Sequence, residues 1–193
     1  MNITGHTRLL ALFGSPVEHS GSPAMYNYSF EKLGLDYVYV AIDVGREGLK
    51  EAVSAARLYN MHGFNLTMPC KNDVISYIDE LSPAARLVGA VNTVVNENGR
   101  LIGYNTDGTG FVKNLEAHKI TVKNKKIVVA GAGGAATSII VQLALDGAGE
   151  IYIFNKKSES FNRMLVTIER IKKEIPDVVI NIQDILDKAK YTE

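Results

Sequence analysis

The stretch from Lys125 to Lys157, KKIVVAGAGGAATSIIVQLALDGAGEIYIFNKK, constrains the fold more than any other part of the chain. It reads as a buried strand at Ile127, Val128 and Val129, a tight glycine turn, an apolar-periodic helix, and a second apolar strand at Ile151, Tyr152, Ile153 and Phe154. Those elements in that order make a β-α-β unit. The turn, Gly131-Ala132-Gly133-Gly134-Ala135-Ala136, has the G-x-G-x-x-A spacing of a dinucleotide-binding turn. Gly131 permits the sharp exit from the strand, Gly133 lets a pyrophosphate approach the backbone, and Ala136 is small enough for the helix to pack close on the sheet. The helix start offers N–H groups and about half a positive charge to phosphates, so Gly131, Ala132, Gly133, Gly134 and Ala135 are the candidate cofactor contacts. Glycine runs also make ordinary turns, and it is the order of strand, turn, helix and strand that favours the nucleotide.

The residues after the second strand bear on which nucleotide. An NAD site usually carries Asp or Glu there to accept from the ribose 2′-hydroxyl, whereas this chain has Asn155, Lys156 and Lys157. Two cations suit a 2′-phosphate, which favours NADP. A solvated lysine pair at a strand end is the alternative, and Glu159 keeps NAD use open.

A length of 193 residues allows one or two domains. The formal net charge of +0 gives no electrostatic reason for a nucleic-acid or acidic-membrane partner, so a small molecule is expected. The single cysteine, Cys70, makes no internal disulfide and suits a reducing compartment. No apolar run approaches the ~18 residues of a membrane span, the opening MNITGHTRLL lacks a signal-peptide pattern, and cytoplasm is the expected location. The four histidines show no metal-ligand spacing, so no metal is expected.

Arg8 to Phe13 reads as a buried strand ended by Gly14-Ser15-Pro16. Ser22 followed by Pro23 makes an N-cap and first turn for a helix through about Leu33, which leaves Ser20 without a local structural reason. Tyr37 to Ile42 reads as a second strand, and Leu49, Val53, Ala56 and Leu58 mark an amphipathic helix. This β-α-β-α pattern predicts a parallel sheet. Gly63 to Thr67 is a third strand, and Asn65 and Thr67 share a face by its period of two. Ligands of open α/β sheets bind at the carboxyl ends of strands, which places Asn65, Thr67 and Lys71 where a substrate would sit. Lys71 also reads as a surface lysine opening a helix, an electrostatically poor place for a cation.

Further on, Ser82-Pro83 starts a short helix, and Asn98-Gly99 joins the apolar runs 90–95 and 101–104 as a hairpin. Asn105-Thr106-Asp107-Gly108 leads into a helix with Phe111, Val112 and Leu115 on its apolar face, and Thr106 or Asp107 is its candidate cap. Ser158 caps another helix, carrying Phe161, Leu165, Ile168 and Ile171. Pro176 ends it, and a third strand follows at 178–182. The expected architecture is α/β: a substrate-binding domain at 1–105 with a mainly parallel sheet, then a partial, doubly wound Rossmann domain at 106–193 representing one mononucleotide half.

Five segments in order carry a resemblance to a known family: HSGSPAMYN at 19–27, GFNLTMPCK at 63–71, GAVNTVV at 89–95, GYNTDGTGF at 103–111 and GAGGAA at 131–136. With these the chain resembles the shikimate dehydrogenase family, quinate/shikimate relatives included, over nearly all its length. The resemblance implies reversible, NADPH-dependent reduction of 3-dehydroshikimate to shikimate, in the chorismate route to aromatic amino acids. It implies a carboxylate site at Ser20 and Ser22, substrate contacts at Asn65, Thr67, Asn92 and Thr106, and catalytic roles for Lys71 and Asp107. Such chemistry makes physical sense, because hydride addition builds negative charge on a ketone oxygen and a nearby ammonium stabilises it and supplies the proton.

Three departures accompany the resemblance. Cys70 stands before the lysine where the family often has an aromatic residue or Asn; it reads as a half-buried cysteine or, with a cation beside it, a reactive thiol. Lys156 stands where an Arg is common, without its planar fork. Family members also continue beyond a chain of this length, which raises the expectation of a truncated product with feeble activity. A quinate enzyme using NAD or NADP, and a nucleotide-binding fragment without chemistry, are the alternatives; a monomer or homodimer is expected.

Overall fold

The computed structural model describes residues 2–187, so that the expected second domain's last six residues lie outside the described part. The chain forms two compact units, Met1–Tyr104 and Asn105–Glu193.

The first unit is built on strands β1 (Arg8–Gly14), β2 (Tyr37–Asp43), β3 (Gly63–Leu66), β4 (Glu80–Leu81), β5 (Thr93–Glu97) and β6 (Arg100–Tyr104). They form one sheet in the order β2-β1-β3-β5-β6-β4. β1 runs parallel to β2 and β3, and β4 parallel to β6, while β5 is antiparallel to both its neighbours. That reversal follows from the hairpin, in which Asn98 (φ 55) and Gly99 (φ 95) both adopt the left-handed conformation that a two-residue type I′ turn requires. One end of the sheet therefore gathers the carboxyl ends of β1, β3 and β6 and the amino end of β5.

Helices α1 (Ser22–Leu33), α2 (Leu49–Leu58) and α3 (Pro83–Val88) complete the unit, with a single 3-10 turn at Asp73–Tyr77. Two apolar clusters lie on opposite faces of the sheet: Ala11, Phe13, Phe64, Leu66 and Val94 with Leu49 and Val53 of α2, and Leu12 and Tyr39 with Phe30 of α1 and Val17 of the loop before it. Two expectations are corrected here. Ser22 is the first residue of α1 and Gly21 its N-cap, without a side-chain cap bond. Leu58 does not join the buried face of α2 and is 80% exposed, because it is the helix's last residue, beyond the Leu49–Val53–Ala56 stripe.

The second unit opens on α4 (Asp107–Ala117) and continues as β7 (Lys126–Ala130), α5 (Gly134–Leu145), β8 (Glu150–Asn155), α6 (Glu159–Glu174) and β9 (Val179–Asp184). The three strands are parallel in the order β7-β8-β9. β8, between two neighbours, buries Ile151 and Ile153 completely. β7 is not the buried strand expected: among the described residues it has one strand partner, none of its residues is buried, and Val128 is 64% exposed. On α6 the packed stripe runs Met164, Ile168, Ile171, and Leu165 turns outward instead of inward. Gly108 of α4 meets α5 so closely that a β-carbon on it would stand 2.2 Å from the Ser138 carbonyl oxygen.

No helix among the described residues is long and apolar enough to cross a membrane.

Candidate active site

In the first unit, the polar candidates cluster where β1, β3 and β5 share one end. Asn65 and Thr93 are directly opposed across β3 and β5. They alternate with Phe64 and Val94 of the other face, so the sheet turns polar on the α1 side at this point. The Asn65 amide nitrogen donates to Thr93 Oγ1 at 3.0 Å and to the Asn92 carbonyl at 3.3 Å, and the Thr93 hydroxyl donates to Asn92 Oδ1 at 3.1 Å. Asn65 and Asn92, expected as separate substrate contacts, thus belong to one hydrogen-bonded array. Neither the role of Tyr39, whose hydroxyl donates to Asn65 Oδ1 at 2.8 Å, nor that of Thr93 follows from the sequence. An alternating Tyr in a strand and a Thr beside a motif Asn carry no signal of a bond across three strands.

Backbone bonds stitch the neighbouring loops to this array. The Leu66 N–H donates to the Asn92 carbonyl (2.9 Å), the Asn92 N–H to the Tyr104 carbonyl (3.0 Å), and the Val91 N–H to the Lys71 carbonyl (2.8 Å). Lys71, half-buried, is therefore tied beside Asn92. It does not open an α-helix, since only the 3-10 turn from Asp73 follows, and the expected conflict with a helix dipole does not arise. Thr67 begins the loop after β3, its N–H donating to the Phe13 carbonyl at 2.9 Å.

The two serines exchange the structural roles expected of them. Ser20 Oγ accepts the Ser22 N–H at 3.2 Å and so organises the start of α1, whereas the Ser22 hydroxyl makes no hydrogen bond among the described residues. Both retain an O–H proton to donate. Cys70 is wholly buried and donates to the Val44 carbonyl at 3.3 Å; burial, then Asp73, pushes its thiol pKa up, the reverse of a reactive cysteine.

In the second unit Thr106 is the N-cap residue of α4 and Asp107 the first helical residue, both exposed. The Thr106 side chain makes no cap hydrogen bond, so capping does not account for it. Gly131 has φ +117, a conformation that favours glycine, and a β-carbon on Gly131, Gly133 or Gly134 meets no atom within 4 Å. Ala132 is buried and Ala135 exposed. α5 begins at Gly134 without a side-chain cap or an acidic residue in its first turn. After β8, Lys156 and Lys157 are exposed, while the Asn155 amide nitrogen lies 2.8 Å from the Lys156 carbonyl and 3.2 Å from both Ser158 Oγ and Ser160 Oγ. Glu159 is paired with Arg163 one turn along α6.

Residues 12–94 match the model of the shikimate dehydrogenase substrate binding domain. The shikimate 5-dehydrogenase of Thermus thermophilus, solved in complex with NADP(H) and shikimate, is 32% identical with a TM-score of 0.75, over 92% of this chain and 68% of that one. The chain belongs to the shikimate dehydrogenase family. Within the shikimate dehydrogenases it is also similar to the Listeria monocytogenes shikimate 5-dehydrogenase solved in complex with shikimate and NAD (48% identity, TM-score 0.93, 97% of this chain and 64% of that one). The shikimate dehydrogenase (NADP(+)) of Listeria monocytogenes serotype 4b is 50% identical over 172 residues, 89% of this chain and 59% of that protein. The chain thus spans about three fifths of the length of such curated relatives. The α/β fold with mainly parallel sheets is the one these shikimate dehydrogenases share.

Proposed function

We propose that this chain provides the substrate domain and the first nucleotide-binding half of an NADP-dependent shikimate dehydrogenase, reducing 3-dehydroshikimate to shikimate reversibly. The observation that carries this reading is the polar array at one end of the first sheet, where Asn65, Thr93 and Asn92 are bonded in series and the Lys71 backbone is tied to the neighbouring residue.

The second unit fits a dinucleotide. Gly131, Gly133 and Gly134 carry no packing demand for glycine beyond backbone conformation, and the N–H groups of α5 are not taken by a side-chain cap. Gly131 to Ala135 would hold the pyrophosphate, and Lys156 and Lys157 a 2′-phosphate. The stretch Asn155-Lys156-Lys157 directly after β8 carries no carboxylate for an NAD ribose, which favours NADP. When bound, the nicotinamide would supply or accept the hydride.

The remaining steps belong to this chain's own residues. Ser20 and Ser22 donate their hydroxyl protons to the substrate carboxylate. Asn65, Thr67, Asn92 and Thr106 bind its ring oxygens and hold the ring in one orientation. Lys71 offers its ammonium proton to the oxygen on which negative charge develops, and withdraws it in the reverse direction. Asp107 accepts from a substrate hydroxyl.

The test is a titration of the isotope-labelled chain with shikimate and separately with NADP+, alongside an assay of shikimate-dependent NADP+ reduction. Shikimate is expected to shift signals of Ser20, Ser22, Asn65 and Asn92, and NADP+ those of 131–136 and Lys156. Absence of shikimate binding contradicts the proposal.

A further inference from the structure

Tyr39 lies on β2, and its hydroxyl reaches Asn65 on β3, with β1 between them. The register pairs Tyr39 with Leu10 and Asn65 with Leu12 on that intervening strand. Two strand spacings amount to about 9.6 Å, a gap that only a long side chain ending in a polar group can help to close. The ring is held over β1 by Leu12, Val17 and Phe30, and by a stacked Tyr26 with centroids 4.5 Å apart and planes inclined by 17°. Asn27 of α1 fixes the backbone of the same residue twice: its Oδ1 accepts the Tyr39 N–H and its Nδ2 donates to the Tyr39 carbonyl, both at 2.8 Å. Tyr39 is 2% exposed, and this packing leaves its hydroxyl little freedom.

The direction of the Asn65 bonds is determined. The Asn92 backbone carbonyl only accepts, so the Asn65 atom facing it is the amide nitrogen. Asn65 Oδ1 then faces Tyr39, and the phenol must donate. Burial, then Tyr26, raises the Tyr39 pKa, which keeps that proton in place throughout the working pH range. The Asn65 nitrogen donates to Thr93 Oγ1, and the Thr93 hydroxyl donates to Asn92 Oδ1. The Asn65 amide is thereby held in one of its two orientations.

We infer that Tyr39 is a positioning residue for the substrate site: its hydroxyl, bonded to Asn65 Oδ1, holds the Asn65 side chain in place and, through Thr93, that of Asn92. This rests on the reading that Asn65 and Asn92 contact shikimate. Tyr39 joins the two halves of that site, since the helix that begins at Ser22 is clamped to its backbone by Asn27 and the Asn65 array hangs from its side chain.

The experiment records side-chain amide NMR signals of the chain without ligand, then titrates shikimate, for the parent and for Tyr39→Phe, Thr93→Val and Thr93→Ser. Tyr39→Phe keeps the ring and its packing. It is expected to move the amide signals of both Asn65 and Asn92 and to weaken shikimate binding on the order of tenfold, as loss of one or two oriented polar contacts would. Thr93→Val is expected to move the Asn92 signal and weaken binding, and Thr93→Ser, which keeps the hydroxyl, to restore both. The double variant Tyr39→Phe/Thr93→Val should bind no worse than the weaker single variant, because the relay acts as a unit. An unmoved Asn92 signal in Tyr39→Phe, shikimate binding within twofold of the parent, or losses that multiply in the double variant would overturn the inference. If Tyr39→Phe does not fold, the Tyr39 hydroxyl proton is followed by NMR in the parent and in Asn65→Ala: a signal protected from exchange in the parent and lost in Asn65→Ala supports the bond, and an unprotected signal in the parent overturns the inference. A parent chain that binds no shikimate sinks the functional reading, and the ligand-free Asn92 signal still judges the relay.

Discussion

Gly14, the last residue of β1, is packed so tightly on Thr67 that a β-carbon there would stand 2.2 Å from Thr67 Cγ2 and 2.9 Å from the Met68 carbonyl oxygen. The Ser15 N–H donates to that same carbonyl at 3.0 Å, so β1 and the loop after β3 hold each other in place. Gly14→Ala has a backbone atom as well as a side chain to displace. The variant should lose about 1–3 kcal/mol of stability by overpacking and bind shikimate more weakly, while NADP+ binding to the second unit is preserved. Urea denaturation and two ligand titrations check this; unchanged stability and shikimate affinity would show that Thr67 is not positioned by β1.

Lys156 and Lys157 are exposed cations after β8, whereas the nearby Glu159 is paired with Arg163. Replacing both lysines with alanine should weaken NADP+ on the order of tenfold and NAD+ by less than about twofold. Added salt should likewise weaken NADP+ more than NAD+ in the parent, since exposed charges are screened. Equal losses for the two cofactors would remove the 2′-phosphate role.

Cys70 directly precedes Lys71 in the loop after β3 and is wholly buried, and burial holds its thiol in the protonated form. A disulfide exchange reagent at neutral pH is expected to label it only as fast as the first unit opens, with the rate rising steeply in urea. Rapid labelling of the native protein would contradict that placement.

Asp79 accepts from the Arg57 guanidinium at 2.8 Å and from the Leu101 N–H at 2.7 Å, and these bonds lower its pKa in that order. A carboxyl whose pKa is lowered by folding contributes stability that is fully present above its unfolded value of ~3.9 and lost as pH falls through the lower folded value. Asp79→Asn should therefore be less stable than the parent near neutrality, by no more than about 1 kcal/mol for so exposed a pair, with the gap closing in acid below the ordinary carboxyl range. Denaturation midpoints at both pH values measure it; a gap that persists in acid would mean that charge is not its source.

Where the sequence was legible, one local rule decided the conformation. Asn98-Gly99 demanded two positive φ angles and received them, and Gly131 marks the sharp exit from β7. Continuous apolar runs were harder, because they name no face: Val128 and Leu165 look like core residues but lie exposed, one on an edge strand and one beside the buried stripe of α6. Motif residues hid mixed duties. Gly108, read within N-T-D-G, is required at least for the close approach of α4 to α5, and Ser20 as much as Ser22 shapes the start of α1. The Tyr39–Asn65 bond was invisible for another reason: strand order β2-β1-β3 is a property of the folded sheet, and no spacing along the chain encodes it.

In the proposed function Lys71 delivers the proton of the shikimate oxidoreduction. The most direct measurement is the turnover of Lys71→Ala against the parent, with NADP+ and shikimate, together with the shikimate dissociation constant of each. Loss of a positioned acid-base group predicts turnover lower by about 10²- to 10⁴-fold with shikimate affinity changed only a few-fold. Turnover close to that of the parent would contradict the account.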